Sequence, residues 1–376
     1  MKKILKNEAV QSLLTSLICI IVGMFVGYLV LLMIEPSGAA EAIVAVAKNF
    51  LGYSRTNMQL KHLGTTLVKT APLIMCSLSI LFSYKVGLFN IGAAGQYVIG
   101  SCACLYAALG LGWGWIPCML FAACAGAVFG MITGALKAYF NVNEVISGIM
   151  LNWIGLYFTN MVLSNVKDAS SAYTYTLKAK GKAAILPTLG LDELFNGNKY
   201  VSIAIPLSII FAILVWIVLN KTKFGYELKA TGYNKHAAKY CGMAEKRNVI
   251  VSLAISGALA GLAGSFLYQT DIEQWQVTIS SVPGMGFNGI AAAFLGGLNP
   301  IGAIFSSFFI QHITEGGTHV DLTIYCSQIS ELISALIIYL CGFVGFLKMA
   351  MNTSLAKSEE KKRTKAEKEE EKGGDK

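Results

Sequence analysis

Of the 376 residues 55% are apolar and only 14% charged, against about a quarter charged in a water-soluble domain, which excludes a chain of two soluble domains. The 30 basic residues outnumber the 21 acidic ones, but the bases sit in polar joints and in the tail, where they orient a membrane protein and meet lipid headgroups rather than nucleic acid. Cys19, Cys76, Cys102, Cys104, Cys118, Cys124 and Cys341 fall inside apolar runs, where a thiol is a small hydrophobe, and no Cys/His spacing suggests a metal or disulfide framework.

In chain order, the first apolar run covers residues 11–34. As a helix it is about 36 Å long at about 1.5 Å per residue, enough for a hydrocarbon core of about 30 Å. It is longer than the short apolar core that precedes the cleavage site of a signal peptide and reads as a retained anchor. Further runs follow at residues 65–83, 93–110, 115–137, 144–163, 201–220, 249–270, 285–298, 300–313 and 324–347. The expectation is an all-α polytopic membrane protein of about ten transmembrane segments, with residues 1–348 as the membrane domain and 349–376 as a charged tail, disordered or a solvated helix. With both termini in the cytoplasm, about 21 of the Lys and Arg residues fall inside and about 8 outside, the direction the positive-inside rule requires. Two long joints stand out: residues 164–200, outside, suited to a folded cap or docking surface, and the lysine-rich residues 221–248, inside.

The segment from Gly87 to Gly95 resembles the segment from Gly286 to Ala293, each with Phe-Asn followed by small residues. Five spans separate them, so the second copy is inverted, as in transporters that bind substrate near the midplane at a repeat interface. Their glycines permit unwound backbone, which at membrane depth is tolerated only when buried in protein or lining a wet cavity; close helix packing through small residues is the other reading. Phe89, Asn90, Gln96, Asn152, Phe287 and Asn288 are the candidate substrate-pathway residues, since rings and uncharged amides suit a neutral polar molecule with an aromatic or sugar part. Lys69 and Glu331 fall inside spans, where an ionisable residue is a functional candidate, although Lys69 is near enough to its span's end to snorkel. Asn143 and Glu144 read as a helix cap and a charge favourable to the helix dipole.

The runs GLFNIGAAGQ (87–96), NVNEVISGIMLN (141–152), ATGYNKHAAKYCGM (230–243) and GMGFNGIAAAFLGGLNPIGA (284–303) resemble the permease subunit of bacterial ABC importers. The resemblance covers about residues 60–345 and is to the simple-sugar and nucleoside type, in the superfamily of ribose and branched-chain amino acid permeases. It implies a multi-pass protein of the bacterial plasma membrane with inverted repeats. Ala230, Gly232, Asn234, Ala237, Ala238 and Gly242 match the family's cytoplasmic coupling helix, which docks in a groove of the ATPase subunit. The implied partners are that ATPase, a second permease chain, an extracellular substrate-binding lipoprotein and membrane lipid. The implied cargo is a nucleoside, with a simple sugar as the alternative.

The chain has no G-x-x-x-x-G-K-[ST] loop, so ATP and Mg are expected in the partner ATPase, with no cofactor, metal or catalytic residue in this chain. Three other classes are weighed against this reading. An ion-coupled carrier commonly needs acidic residues in its spans, an intramembrane enzyme needs a nucleophile with its base or a metal set, and a scaffold has no use for polar groups at broken helices.

Overall fold

The computed structural model describes residues 8–321 and scattered positions from 324 to 353. The expected tenth span falls largely outside the described residues, as do Glu331, Cys341 and nearly all of the tail. The rest is a bundle of helices: α1 Glu8–Ile34, α2 Ala39–Lys48, α3 Thr56–Tyr84, α4 Ala93–Leu109, α5 Trp115–Phe140, α6 Glu144–Leu163, α7 Ala204–Lys221, α8 Lys223–Tyr233, α9 Lys235–Tyr240, α10 Glu245–Tyr268, α11 Met285–Leu295 and α12 Pro300–Gly317. Five of the described helices, α3, α5, α6 (extended to Val166), α7 and α10, are long and apolar enough to cross a bilayer.

Nine expected runs thus coincide with helices, and two differences have physical causes. Helix α3 starts nine residues before its apolar run, because its first turns leave the apolar layer and pack against a cap formed by residues 164–200. There Asn198 donates to the carbonyl of Lys61 (2.8 Å) and to Thr65 Oγ1 (3.1 Å). Helix α2 is too short to span and lies against α12, where a Cβ at Gly316 would strike the carbonyl of Val46.

The centre of the bundle is the crossing of α5 and α10. Gly126 and Gly130, one turn apart, face the carbonyls of Gly257 and Leu253 so closely that a methyl at either would collide with them. In a membrane, where lipid is as apolar as leucine, such small-residue seams let dispersion and backbone contact hold helices together. Asn143 caps α6 as expected, its Oδ1 accepting from the Val145 N–H at 2.9 Å, and Glu144 pairs with Lys137 at 2.8 Å.

The bundle has two distinct ends. At one, the elbow α8–α9 meets the turn after α3 and the start of α10. At the other is the cap, a folded unit whose isolated bridges join Lys167 to Thr174 and Tyr173 to Gln276. Residues 269–284 form a strap across this end: Gln269 Nε2 donates to the carbonyls of Trp115 (2.9 Å) and Ala184 (3.1 Å), and Trp275 Nε1 donates to Asn160 Oδ1 (2.9 Å).

Candidate functional site

Helix α3 ends at Tyr84 and the chain reverses through Gly87, whose φ of +75° is the left-handed conformation glycine adopts without strain. It re-enters the bundle as residues 88–92 and starts α4 at Ala93. The side chains of Asn90, Gln96 and Asn152, expected to line the pathway, are all buried and their amides are taken by protein. Asn90 Nδ2 donates to Gln96 Oε1 (2.8 Å) and to Ser256 Oγ (2.7 Å), and Gln96 Nε2 donates back to Asn90 Oδ1 (3.3 Å). Ser256 Oγ donates to the carbonyl of Ser79 at 2.6 Å. Asn152 reaches over from α6, its Oδ1 accepting from the Gly95 N–H (2.7 Å) and its Nδ2 donating to the Ile91 carbonyl (3.1 Å). The Gly95 N–H belongs to the first turn of α4, so Asn152 supplies the cap that Gly92 cannot. These contacts join α3, the re-entrant segment, α4, α6 and α10 into one polar lock. Buried donors this fully partnered hold the unwound backbone in place.

The second copy differs. Helix α11 starts at Met285 after Gly284 with no side-chain cap, leaving first-turn N–H groups and the positive end of its dipole unscreened by a side chain. Phe287 is 39% exposed and Asn288 half-buried; among the described residues no group hydrogen-bonds the Asn288 amide. The two copies nevertheless touch. A Cβ at Gly286 would land on Ala94, and one at Gly289 would come 2.7 Å from Cys76 Cβ on α3. At the other end of α11, Phe294 meets Tyr84 edge-on (5.3 Å between centroids) and Phe89 at a tilt (6.3 Å). Helix α4 runs from this meeting point toward the cap and α11 runs from it toward the elbow, so two half-helices start together at mid-depth and diverge.

At the elbow, Asn234 caps α9 by accepting from the Ala237 N–H at 3.0 Å, and Gly242, at φ +78°, ends it. Ala237 is exposed, Ala238 is buried, and Ala230 is half-buried under the turn that its carbonyl closes with the Asn234 N–H (3.1 Å). Gly232 faces inward: a Cβ there would lie 2.6 Å from the Lys85 carbonyl and 3.0 Å from the Gly87 nitrogen. The elbow therefore touches the turn that opens the locked segment. Thr231 Oγ1 accepts from Asn248 Nδ2 (2.9 Å), tying the elbow to α10 as well. Burial, and then the neighbouring Lys229, hold the Lys85 amine below the ordinary lysine range. Sequence reasoning missed Tyr233 and Tyr240, which are 92% and 93% exposed on the elbow; an aromatic residue on each side of a short helix in a polar loop was the available signal.

A helical bundle with two re-entrant half-helices meeting at mid-depth is the architecture of a transporter's membrane subunit. The chain belongs to the family described as branched-chain amino acid transport system / permease component, which it matches over residues 62–342. It is similar to a guanosine ABC transporter permease of Bacillus subtilis, 32% identical over 336 residues covering 88% of this chain and 93% of that protein. It is also similar to a nucleoside ABC transporter permease of Lactococcus lactis, 31% identical over 348 residues covering 89% and 91%. A glucose ABC transporter permease of Haloferax volcanii is 27% identical over 285 residues, 73% and 74% of the two chains. No solved structure matches. The chain is thus a membrane permease, a transport subunit rather than an enzyme.

Proposed function

We propose that this chain is the gated half of an ATP-driven importer of nucleosides, opened and closed by a separate ATPase subunit that binds the elbow. The observation that carries the proposal is the seat of Gly232 against Lys85 and Gly87. A push on the exposed tyrosines of the elbow is delivered directly to the turn from which the re-entrant segment hangs. The elbow end is then cytoplasmic, the cap end external, and the cap with its strap is the surface that receives a substrate-binding lipoprotein. Two permease chains, identical or related, enclose the path in the bacterial plasma membrane, and both termini are cytoplasmic. ATP and Mg belong to the ATPase.

Within the chain, substrate contact is assigned to Phe287 and Asn288, the exposed ring and the side-chain amide that no group among the described residues hydrogen-bonds. A ring stacks on a flat base, and an amide offers both donor and acceptor. Asn90, Gln96 and Asn152 fix the opposing half-helix, and Phe89 joins the two copies through Phe294. The guanosine and nucleoside permeases among the relatives support a nucleoside cargo; the glucose permease supports a simple sugar as the second reading.

Co-purification with an ATPase subunit encoded beside this chain tests the assignment. Tyr233→Ala with Tyr240→Ala is expected to abolish pairing without disturbing the fold, since both side chains lie in solvent. Retained pairing and ATP-driven uptake of labelled nucleoside in that double variant would remove the elbow from the mechanism. Uptake by the purified permease without any ATPase would favour an ion-coupled carrier.

A further inference from the structure

Lys69 does not snorkel. Its Nζ lies 2.8 Å from Glu315 Oε1 and 3.5 Å from Glu273 Oε1. The three residues belong to three elements at the cap end: α3, the last turn of α12, and the strap that follows α10. Burial divides the trio, with the Glu315 side chain 12% exposed, Lys69 22% and Glu273 44%. Gln311 Nε2 further holds Glu315 Oε1 at 3.2 Å. Lys69–Glu315 is therefore the enclosed pair, and Glu273 is the member for which water competes. An ion pair with one half-exposed partner is weak enough to form and break within a working cycle.

The remaining anchors of the strap run to the cap, to α6 and, through Gln269, to the start of α5. Asp271 accepts from the Leu177 N–H (2.7 Å) and pairs with Lys178 (3.7 Å), Gln274 donates to the Thr174 carbonyl (3.0 Å), and Asn160 donates to the Ile279 carbonyl (2.8 Å). Glu273 supplies the strap's tie to α3. The strap leads directly into Gly284 and α11, which carries Phe287 and Asn288. Two turns along α3 from Lys69, on the same face, Cys76 is fully buried against Gly289 of α11.

We infer that Lys69, Glu273 and Glu315 form a charge clasp that keeps the cap end of the pathway shut, and that letting go of Glu273 frees the strap and the start of α11 when the permease opens on that side. Lys69 and Glu315 stay paired throughout, and Glu273 is the moving member. The inference rests on the proposed reading of the cap end as external.

Cys76 is a native reporter. The permease, assembled with its ATPase in right-side-out vesicles without ATP, is treated with a charged, membrane-impermeant methanethiosulfonate, and modification is read residue by residue by mass spectrometry. Glu273→Gln keeps the enclosed pair, and its Cys76 labelling rate is expected to rise about two- to fivefold, the shift in a closed–open equilibrium that loss of such a pair produces. Glu273→Ala is expected to give the same rise, which guards against a folding defect in either variant. Lys69→Arg keeps both carboxylate contacts and is expected to label like the wild type. Unchanged labelling in both Glu273 variants overturns the clasp. Lys178→Cys in the cap marks the side: labelling in sealed vesicles is expected, and labelling only after permeabilisation overturns the external assignment rather than the clasp geometry.

Discussion

The two glycine-broken segments carry the same Phe-Asn signature and differ in what surrounds it. Asn90 is held by Gln96 on α4 and Ser256 on α10, Ser256 is in turn bonded to Ser79 on α3, and Asn152 on α6 holds the adjoining backbone at Ile91 and Gly95. Around Asn288 no group among the described residues hydrogen-bonds the side-chain amide. Inversion places the copies in different company, since the first lies beside α10 at the bundle centre and the second hangs from the strap at its edge. A repeat in sequence thus becomes a fixed jaw and, on the proposed function, a receptive one, and side-chain chemistry alone does not distinguish the two.

That contrast can be broken by substitution. Asn90→Leu deprives both Gln96 and Ser256 of a partner, and at about 1–3 kcal/mol per orphaned buried group it is expected to lower stability by about 3 kcal/mol, read as the unfolding midpoint of the detergent-solubilised complex. Wild-type stability would mean that the lock does not hold the segment. Gly286→Ala places a methyl on Ala94 where the copies touch, and overpacking of this kind costs about 1–3 kcal/mol. The expected result is lower stability together with reduced uptake. A Gly286→Ala variant that behaves normally would show the copies to be separable.

Asn288→Leu tests the other jaw. Stability is expected to stay within about 0.5 kcal/mol of wild type, as for a substitution that breaks no protein contact. Uptake is expected to fall about tenfold, the equivalent of one lost hydrogen bond of about 1.4 kcal/mol. Normal uptake in this variant would return α11 to a packing role. The smallest expected effect is that of Phe287→Ala, where losing a stacking ring worth about 0.5–1.5 kcal/mol reduces apparent affinity about fivefold at unchanged maximal rate. An equal drop in Phe89→Ala would erase the asymmetry between the jaws.

How much of this was legible in the sequence follows from where each signal resides. Apolar runs mark nine helices because burial at membrane depth demands a locally continuous apolar stretch. The Asn143 cap and the Asn234–Gly242 boundaries of the elbow helix are equally local. The role of Asn90 is not, because its partner Ser256 lies 166 residues away, and nothing in the order of residues tells an amide that faces protein from one that faces a lumen. Lys69 misleads for the same reason: its carboxylates come from residues 273 and 315. Helix α2 escapes a hydropathy reading because ten residues are too few to span, and the start of α3 because it is polar. The seam of Gly126 and Gly130 went unread, although small residues four apart were the available signal.

The contact between Gly232 and the turn at Lys85 to Gly87 is the joint through which the proposed drive must pass. It is tested most directly by measuring ATP hydrolysis and nucleoside uptake together in proteoliposomes holding Gly232→Trp permease and its ATPase. The account expects the complex to assemble and hydrolyse ATP while uptake falls at least about tenfold, because the elbow no longer seats on the turn it must move. Coupled uptake at the wild-type rate would contradict it.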